Sequence, residues 1–166
     1  MIHLDYTFSQ LIASFTKALQ ADTTLKEWAI SEYSKEFEFN LCYDENRELG
    51  EKDAPWIVIV PLTWDGGITS DSVNFSFNIE IGIVDSTFED YDCENIIAMR
   101  GFEKVDEVVN VVMNIIETHA CTYNAIADGV STIYNNSEFF PLHVCTMNID
   151  VRVDTVMNAT RTLGGN

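Results

Sequence analysis

From Val73 to Val84 the chain alternates without a break. Val73, Phe75, Phe77, Ile79, Ile81 and Ile83 are apolar, and Asn74, Ser76, Asn78, Glu80 and Gly82 stand between them. Successive side chains of a strand point to opposite faces, so this run is a strand with one buried and one wetter face. A second run repeats the pattern: His143, Cys145, Met147, Ile149, Val151 and Val153 alternate with Val144, Thr146, Asn148, Asp150, Arg152 and Asp154. A third, shorter one is Phe37, Phe39, Leu41 and Tyr43. Trp56-Ile57-Val58-Ile59-Val60 is an apolar strand opened by Pro55, and Pro61, which lacks an N–H, marks a sheet edge or a strand end. Asp65-Gly66-Gly67 is a hairpin turn that pairs this strand antiparallel with the one from Val73.

A sheet with one apolar face needs a cover. Phe8, Leu11, Ile12, Phe15, Ala18 and Leu19 recur at helical spacing behind a capping box of Thr7 and Gln10. Thr23 to Ile30 reads as a second short helix, capped by Thr24 and Glu27, with Leu25, Trp28 and Ala29 facing inward. A longer helix starts at Ile96 or Gly101 and runs to Thr118, with Phe102, Val105, Val108, Val109, Val112, Ile115 and Ile116 as its stripe. Cys121 to Phe140 has no clear period and at most a short strand at Val130 to Tyr134. The expected fold is α+β: a mostly antiparallel sheet of about four strands, covered on one face by two helices, in the order α-β-β-β-α-β. Residues 1–154 form one domain, and Thr155 to Asn166 are a tail that is mobile or held by a partner.

Composition narrows the function. The chain has 166 residues, with 27 Asp and Glu against 9 Lys and Arg, a formal charge of -18, and 46% hydrophobic residues. A core is available, so disorder is not expected. Such a surface repels phosphate and anionic lipid, which argues against a basic-groove nucleic-acid binder and a membrane-surface protein. Met1 to Asp5 does not read as a secretory signal, and the longest apolar run, Trp56 to Leu62, is far below the ~20 residues of a spanning helix. Cys42, Cys93, Cys121 and Cys145 form no close pair and read as free, mostly buried thiols in a reducing cytoplasm.

Catalytic signatures are not evident. The adjacent glycines Gly66-Gly67 belong to a hairpin rather than a phosphate loop, and no Gly-x-Ser-x-Gly elbow occurs. His143 reads as a strand residue and His119 as a helix C-terminal residue. The acidic loops fail a calcium test: Leu49 and Pro55, or Asn95 and Gly101, stand at the sixth and twelfth positions. No catalytic, cofactor-binding or metal-binding residue is therefore assigned. Asp44, Glu45, Glu48, Glu51 and Asp53 in one loop, and Asp85, Glu89, Asp90, Asp92 and Glu94 in a second, are candidate interaction residues. Trp64, beside the Asp65 turn, is a candidate exposed contact.

The order of these elements resembles the tail terminator, or tail completion, family of tailed bacteriophages. The resemblance rests on a leading amphipathic helix, then Ala54-Pro55-Trp56-Ile57-Val58-Ile59-Val60, the long strand Val73 to Val84, a polar loop, the helix Gly101 to Thr118 and the strand Val144 to Val153. It covers Thr7 to Val153. It implies a virion structural protein, without enzymatic activity or cofactor, assembled in the host cytoplasm. Such proteins form a ring, commonly a homohexamer, that caps the tail tube, ends its polymerisation and joins the head connector while DNA passes through. The two acidic loops are then expected at the lumen or toward neighbouring rings. Three rivals remain: an acidic protein that mimics DNA in a basic cleft, another head-tail connector component such as a stopper or adaptor, and a small enzyme with an unrecognised site.

Overall fold

The structure is a computed structural model, and it describes residues 7–42, 49–66, 72–90, 97–123, 125–135 and 139–154. Helices α1 (Phe8–Ala21) and α2 (Thr23–Tyr33) come first, then β1 (Glu38–Leu41), β2 (Trp56–Asp65), β3 (Ser72–Val84), the short strands β4 (Phe88–Asp90) and β5 (Ile97–Met99), α3 (Arg100–Thr122), β6 (Ala125–Asn135) and β7 (Leu142–Asp154). Five strands make one sheet in the order β1-β2-β3-β7-β6, and β4 and β5 pair separately as a hairpin. The sheet is mixed: β1 lies parallel to β2, and the other neighbours are antiparallel.

Strand β3 is the middle of this sheet. It pairs with β7 from Ser72 opposite Asp154 to Val84 opposite Leu142. Its other side pairs with β2 from Trp56 opposite Gly82 to Asp65 opposite Asn74. Val73, Phe75, Phe77, Ile79, Ile81 and Ile83 are all buried beneath the helices, as the alternation requires. Helix α1 packs over β1 and β2, and α3 over β3, β7 and β6. The capping box of Thr7 and Gln10 forms, and Leu11, Ile12, Phe15 and Leu19 are buried. On α3 the buried line includes Val105, Val108, Val109, Val112 and Ile116. One core joins Leu11 at its start to Val153 at its end. Burial of this kind contributes roughly 25 cal/mol per Å² of apolar surface, so it dominates the fold.

Several expectations are corrected. The sheet has five strands rather than about four, and β1 is parallel to its neighbour. Three helices form instead of two main ones; α2 is capped by Asp22, whose carboxylate accepts from the Leu25 N–H at 2.9 Å, not by Thr24. Asp22 wins because it sits one residue before the first helical turn, where the orphan N–H groups point. The segment read as an acidic loop holds the β4–β5 hairpin, in which Asp90 pairs with Ile97. The segment without a period becomes the last turn of α3 and then β6, an eleven-residue edge strand with a register shift between Ala127 and Gly129. That shift breaks the alternation on which sequence reading depends. Pro61 does lie on an open edge, since β1 reaches only to Ile59 of β2.

The opposite face of the sheet carries no helix among the described residues. At one end it holds a small apolar cluster of Ala54, Trp56, Val58 and Leu142, with Leu49, Val60, Val84 and Val144 packed around it. The Trp56 indole lies across Gly82 so closely that a Cβ there would stand 2.1 Å from Cε2. Glycine at position 82 is thus required by the indole above it. Gly82→Ala is expected to destabilise the protein by about 1–3 kcal/mol through overpacking. Urea unfolding should show that loss, and it should shrink in a Trp56→Ala background.

Candidate functional site

The sequence-derived residues fall into different environments. Asp85 is 8% exposed, buried just past the end of β3, and so leaves the set of surface contacts. Its Oδ2 accepts from Lys104 Nζ at 2.6 Å, and its Oδ1 accepts from the Thr87 N–H at 2.7 Å and the Thr87 hydroxyl at 2.5 Å. Lys104 also reaches Glu32 at 2.7 Å, so one ammonium joins α2, α3 and the end of β3. The Tyr33 hydroxyl donates to the Val84 carbonyl beside it at 3.1 Å. Burial pushes the Asp85 carboxyl up, but the hydrogen bonds from Lys104 and Thr87 outweigh it and hold it below the usual carboxylate range. Lys104 is shifted up: burial opposes its charge, and Asp85 and Glu32 more than restore it. Burial raises Tyr33 to about 12, against the opposing pull of Lys104.

His143 completes this corner. It is buried, and its Nε2 lies 3.0 Å from the Asp85 carbonyl oxygen, so Nε2 carries the proton and donates. Gly101, in the first turn of α3, lets the helix approach; a Cβ there would stand 2.2 Å from the imidazole. These are tight structural contacts with no reacting group exposed among them.

The remaining acidic residues are divided. Glu51 is exposed, and Asp53 is half-buried in a turn where its Oδ2 accepts from the Gly50 N–H at 3.0 Å. Glu89 is exposed and pairs with Arg100. Asp90 is in β4. Asp44, Glu45, Glu48, Asp92 and Glu94 lie outside the described residues, as do Tyr43, Gly67, Cys93 and the tail from Thr155. The structure nevertheless brings the described parts of the two acidic segments to one end of the sheet. Leu49 and Ala54, at the close of the first, share a cluster with Val84, next to the second. Trp64 is 59% exposed and sits at the other end, where β2 runs out beyond β1.

Sequence reading missed an exposed aromatic group at the acidic end. The Phe88 and Phe140 rings are 5.5 Å apart, Phe140 stands edge-on to His143 at 6.1 Å, and Ile97, Phe102 and Phe139 are exposed beside these segments. Phe139 and Phe140 fall in the stretch that had no period, so nothing local marked them as exposed. Of the described cysteines, Cys42 and Cys121 are exposed, against the expectation of mostly buried thiols; Cys145 is buried, and burial lifts its thiol to about 12.

Among the described residues, the histidine beside a hydroxyl is His119. Its Nε2 is 2.5 Å from Ser14 Oγ, in an open cleft of about 400 Å³ between α1 and α3. Phe15 and Tyr123 rings stand edge-on to it at 5.4 and 5.5 Å. Rings rather than a carboxylate flank the imidazole among the described residues, so nothing orients it as a base, and the pair ties two helices. Among the described residues no group of three or more His, Cys, Asp or Glu is placed to hold a metal ion, and no helix is long and apolar enough to cross a membrane. No protein-family model and no curated protein matches the chain.

Two tests follow. Lys104→Met leaves Asp85 buried without its cation and should cost about 3–5 kcal/mol in denaturant unfolding. Because the Asp85 carboxyl is held low, its contribution is present above about pH 4 and is lost as pH falls through the folded value, so the variant should have a flatter acid limb. Burial lowers the His119 pKa, so the fold is weakened as pH falls below about 6.5, where the unfolded chain takes up a proton more readily. His119→Gln should remove that slope in thermal melts between pH 7 and pH 5.

Proposed function

We propose that this chain is a structural subunit of a ring that caps the tail tube of a tailed bacteriophage and joins it to the head connector. The observation that carries this reading is the division of its exposed surface. One sheet has two unlike edges that no other described strand pairs with, β1 with the outer part of β2 on one side and β6 on the other. A closed ring joins unlike faces of successive subunits, and two such edges are what it requires.

The two ends of the sheet differ as well. One carries the acidic segments with Phe88, Phe139 and Phe140; the other carries Trp64. Exposed aromatic groups are the usual anchors of protein contacts, so the two ends serve as the axial faces, one toward the tube and one toward the connector. The helix-free face presents Asn74, Ser76, Asn78, Asn148 and Asp150, with Ser76 donating to Asp150 at 2.5 Å. A polar, acidic wall suits a channel through which DNA slides without being held.

The DNA-mimic alternative needs a continuous row of phosphate-like carboxylates. Here Asp85 is buried, Glu89 is neutralised by Arg100, and Arg152 sits between Asp128 and Asp154. That interrupts such a row among the described residues.

Solution mass and negative-stain imaging test the ring. At 0.15 M salt the Debye length is about 8 Å, so repulsion between subunits of charge -18 is shortened, and higher salt should favour assembly further. Rings of uniform size are expected. A monomer at every salt concentration and at high protein concentration would rule the reading out.

A further inference from the structure

Resting on that ring reading, we infer that subunits join by strand addition: the outer edge of β6 in one copy pairs antiparallel with the outer edge of β1 in the next, continuing the sheet from copy to copy. The first support is an edge that no described strand pairs with. Exposed strand edges are templates for pairing, and proteins usually blunt them with charges, proline or a bulge. In β6 the bulge lies before Gly129, and Gly129-Val130-Ser131-Thr132-Ile133-Tyr134-Asn135 contains no proline and no charged residue. An uncharged run of that length is unusual on the surface of a chain with 27 acidic residues, and Ile133 in its middle is 56% exposed. The segment has the composition that favours strand pairing.

The opposite edge receives only a limited partner. β1 offers four residues, Glu38–Leu41, and beyond it the β2 edge is interrupted by Pro61 and by the register shift between Pro61 and Thr63. Strand direction also agrees. β1 and β2 run one way, β3 the other, β7 with β2, and β6 against β7. A β6 edge placed beside β1 in a continued sheet is therefore antiparallel to it, the more stable pairing.

Ring closure selects a second copy in this head-to-tail sense over two β6 edges meeting each other. At the β6 margin, Arg152 is held by Asp128 and Asp154 of its own chain. On the β1 side, Lys35 lies three residues before the strand beside Glu36 and donates to the Asp53 carbonyl at 3.3 Å, and Lys52 is exposed between Glu51 and Asp53 in the turn before β2. Neither is engaged in an ion pair among the described residues. A β6–β6 pair would set Asp128 of one copy against Asp128 of another, and a closed ring, which joins unlike faces, requires β6 against β1 instead.

Disulfide trapping and one charge substitution test this. In a Cys42→Ser, Cys93→Ser, Cys121→Ser background, Asn40→Cys and Ser131→Cys place one thiol on each edge, both on the helix-free face. Each variant alone should stay unlinked, their mixture should give a disulfide-linked pair, and the double variant should give a ladder that ends at the ring size. Ile133→Lys, which puts a charge into the uncharged β6 edge, should weaken assembly about tenfold or more with unchanged circular dichroism and melting temperature. A homodimer from Ser131→Cys alone overturns the inference in favour of self-pairing. Rings that persist in Ile133→Lys and give no mixed disulfide with Ser131→Cys or Ile133→Cys also overturn it, while leaving the ring reading intact. A wild-type chain that stays monomeric removes both.

Discussion

The fold depends on β3 being paired along both sides while only one of its faces is apolar. Thirteen residues in register with β7, and most of the same strand in register with β2, fix the sheet before any helix is placed. A one-residue slip would turn Phe75, Phe77, Ile79 and Ile81 outward and Asn74, Ser76, Asn78 and Glu80 into the core, so the register admits no alternative. The helices then have one apolar surface to cover. Because α1 lies over β1 and β2 and α3 over the other three strands, the opposite face stays open.

That openness separates structure from surface. Carboxylates that might have been counted as surface are partly spent inside. Asp85, with Lys104 and Glu32, anchors the corner where α2, α3 and the end of β3 meet, and the Asp85 carbonyl receives His143. A half-buried ammonium between two carboxylates is costly to desolvate and is stabilised by completing its hydrogen bonds. Tight approaches mark the same end of the molecule: Gly101 beneath His143 and Gly82 beneath Trp56. The acidic end is thus rigidly held at its base, and its exposed aromatic side chains project from a fixed platform. A contact surface built on such a base loses less ordering entropy when a partner binds.

The edges are the other consequence of the topology. Strand β6 is recruited beside β7 at the margin of the sheet, and β1 ends the other margin after four residues. Neither margin is covered by a described element of the sheet, and the two differ in length, charge and interruption. A sheet that ends in two unlike edges is a natural unit for repetition, whereas identical edges would favour closed pairs.

Sequence alone determined what depends on local period. The alternation of β3 and β7, the amphipathic stripes of α1 and α3, the capping box at Thr7, the antiparallel pairing of β2 with β3, and an exposed Trp64 were all legible, because burial of one face leaves a repeating mark on neighbouring residues. Tertiary structure decided the rest. The parallel placement of β1, the strand β6 behind its bulge, the burial of Asp85 by a lysine nineteen positions later, and the gathering of Phe88 with Phe140 join residues far apart in the chain. Such contacts leave no period, since each arises from where a sheet margin or a helix end falls in space. The physical reason is the same throughout: one-sided burial is written along the chain, but the choice of neighbour across it is made only when the chain packs.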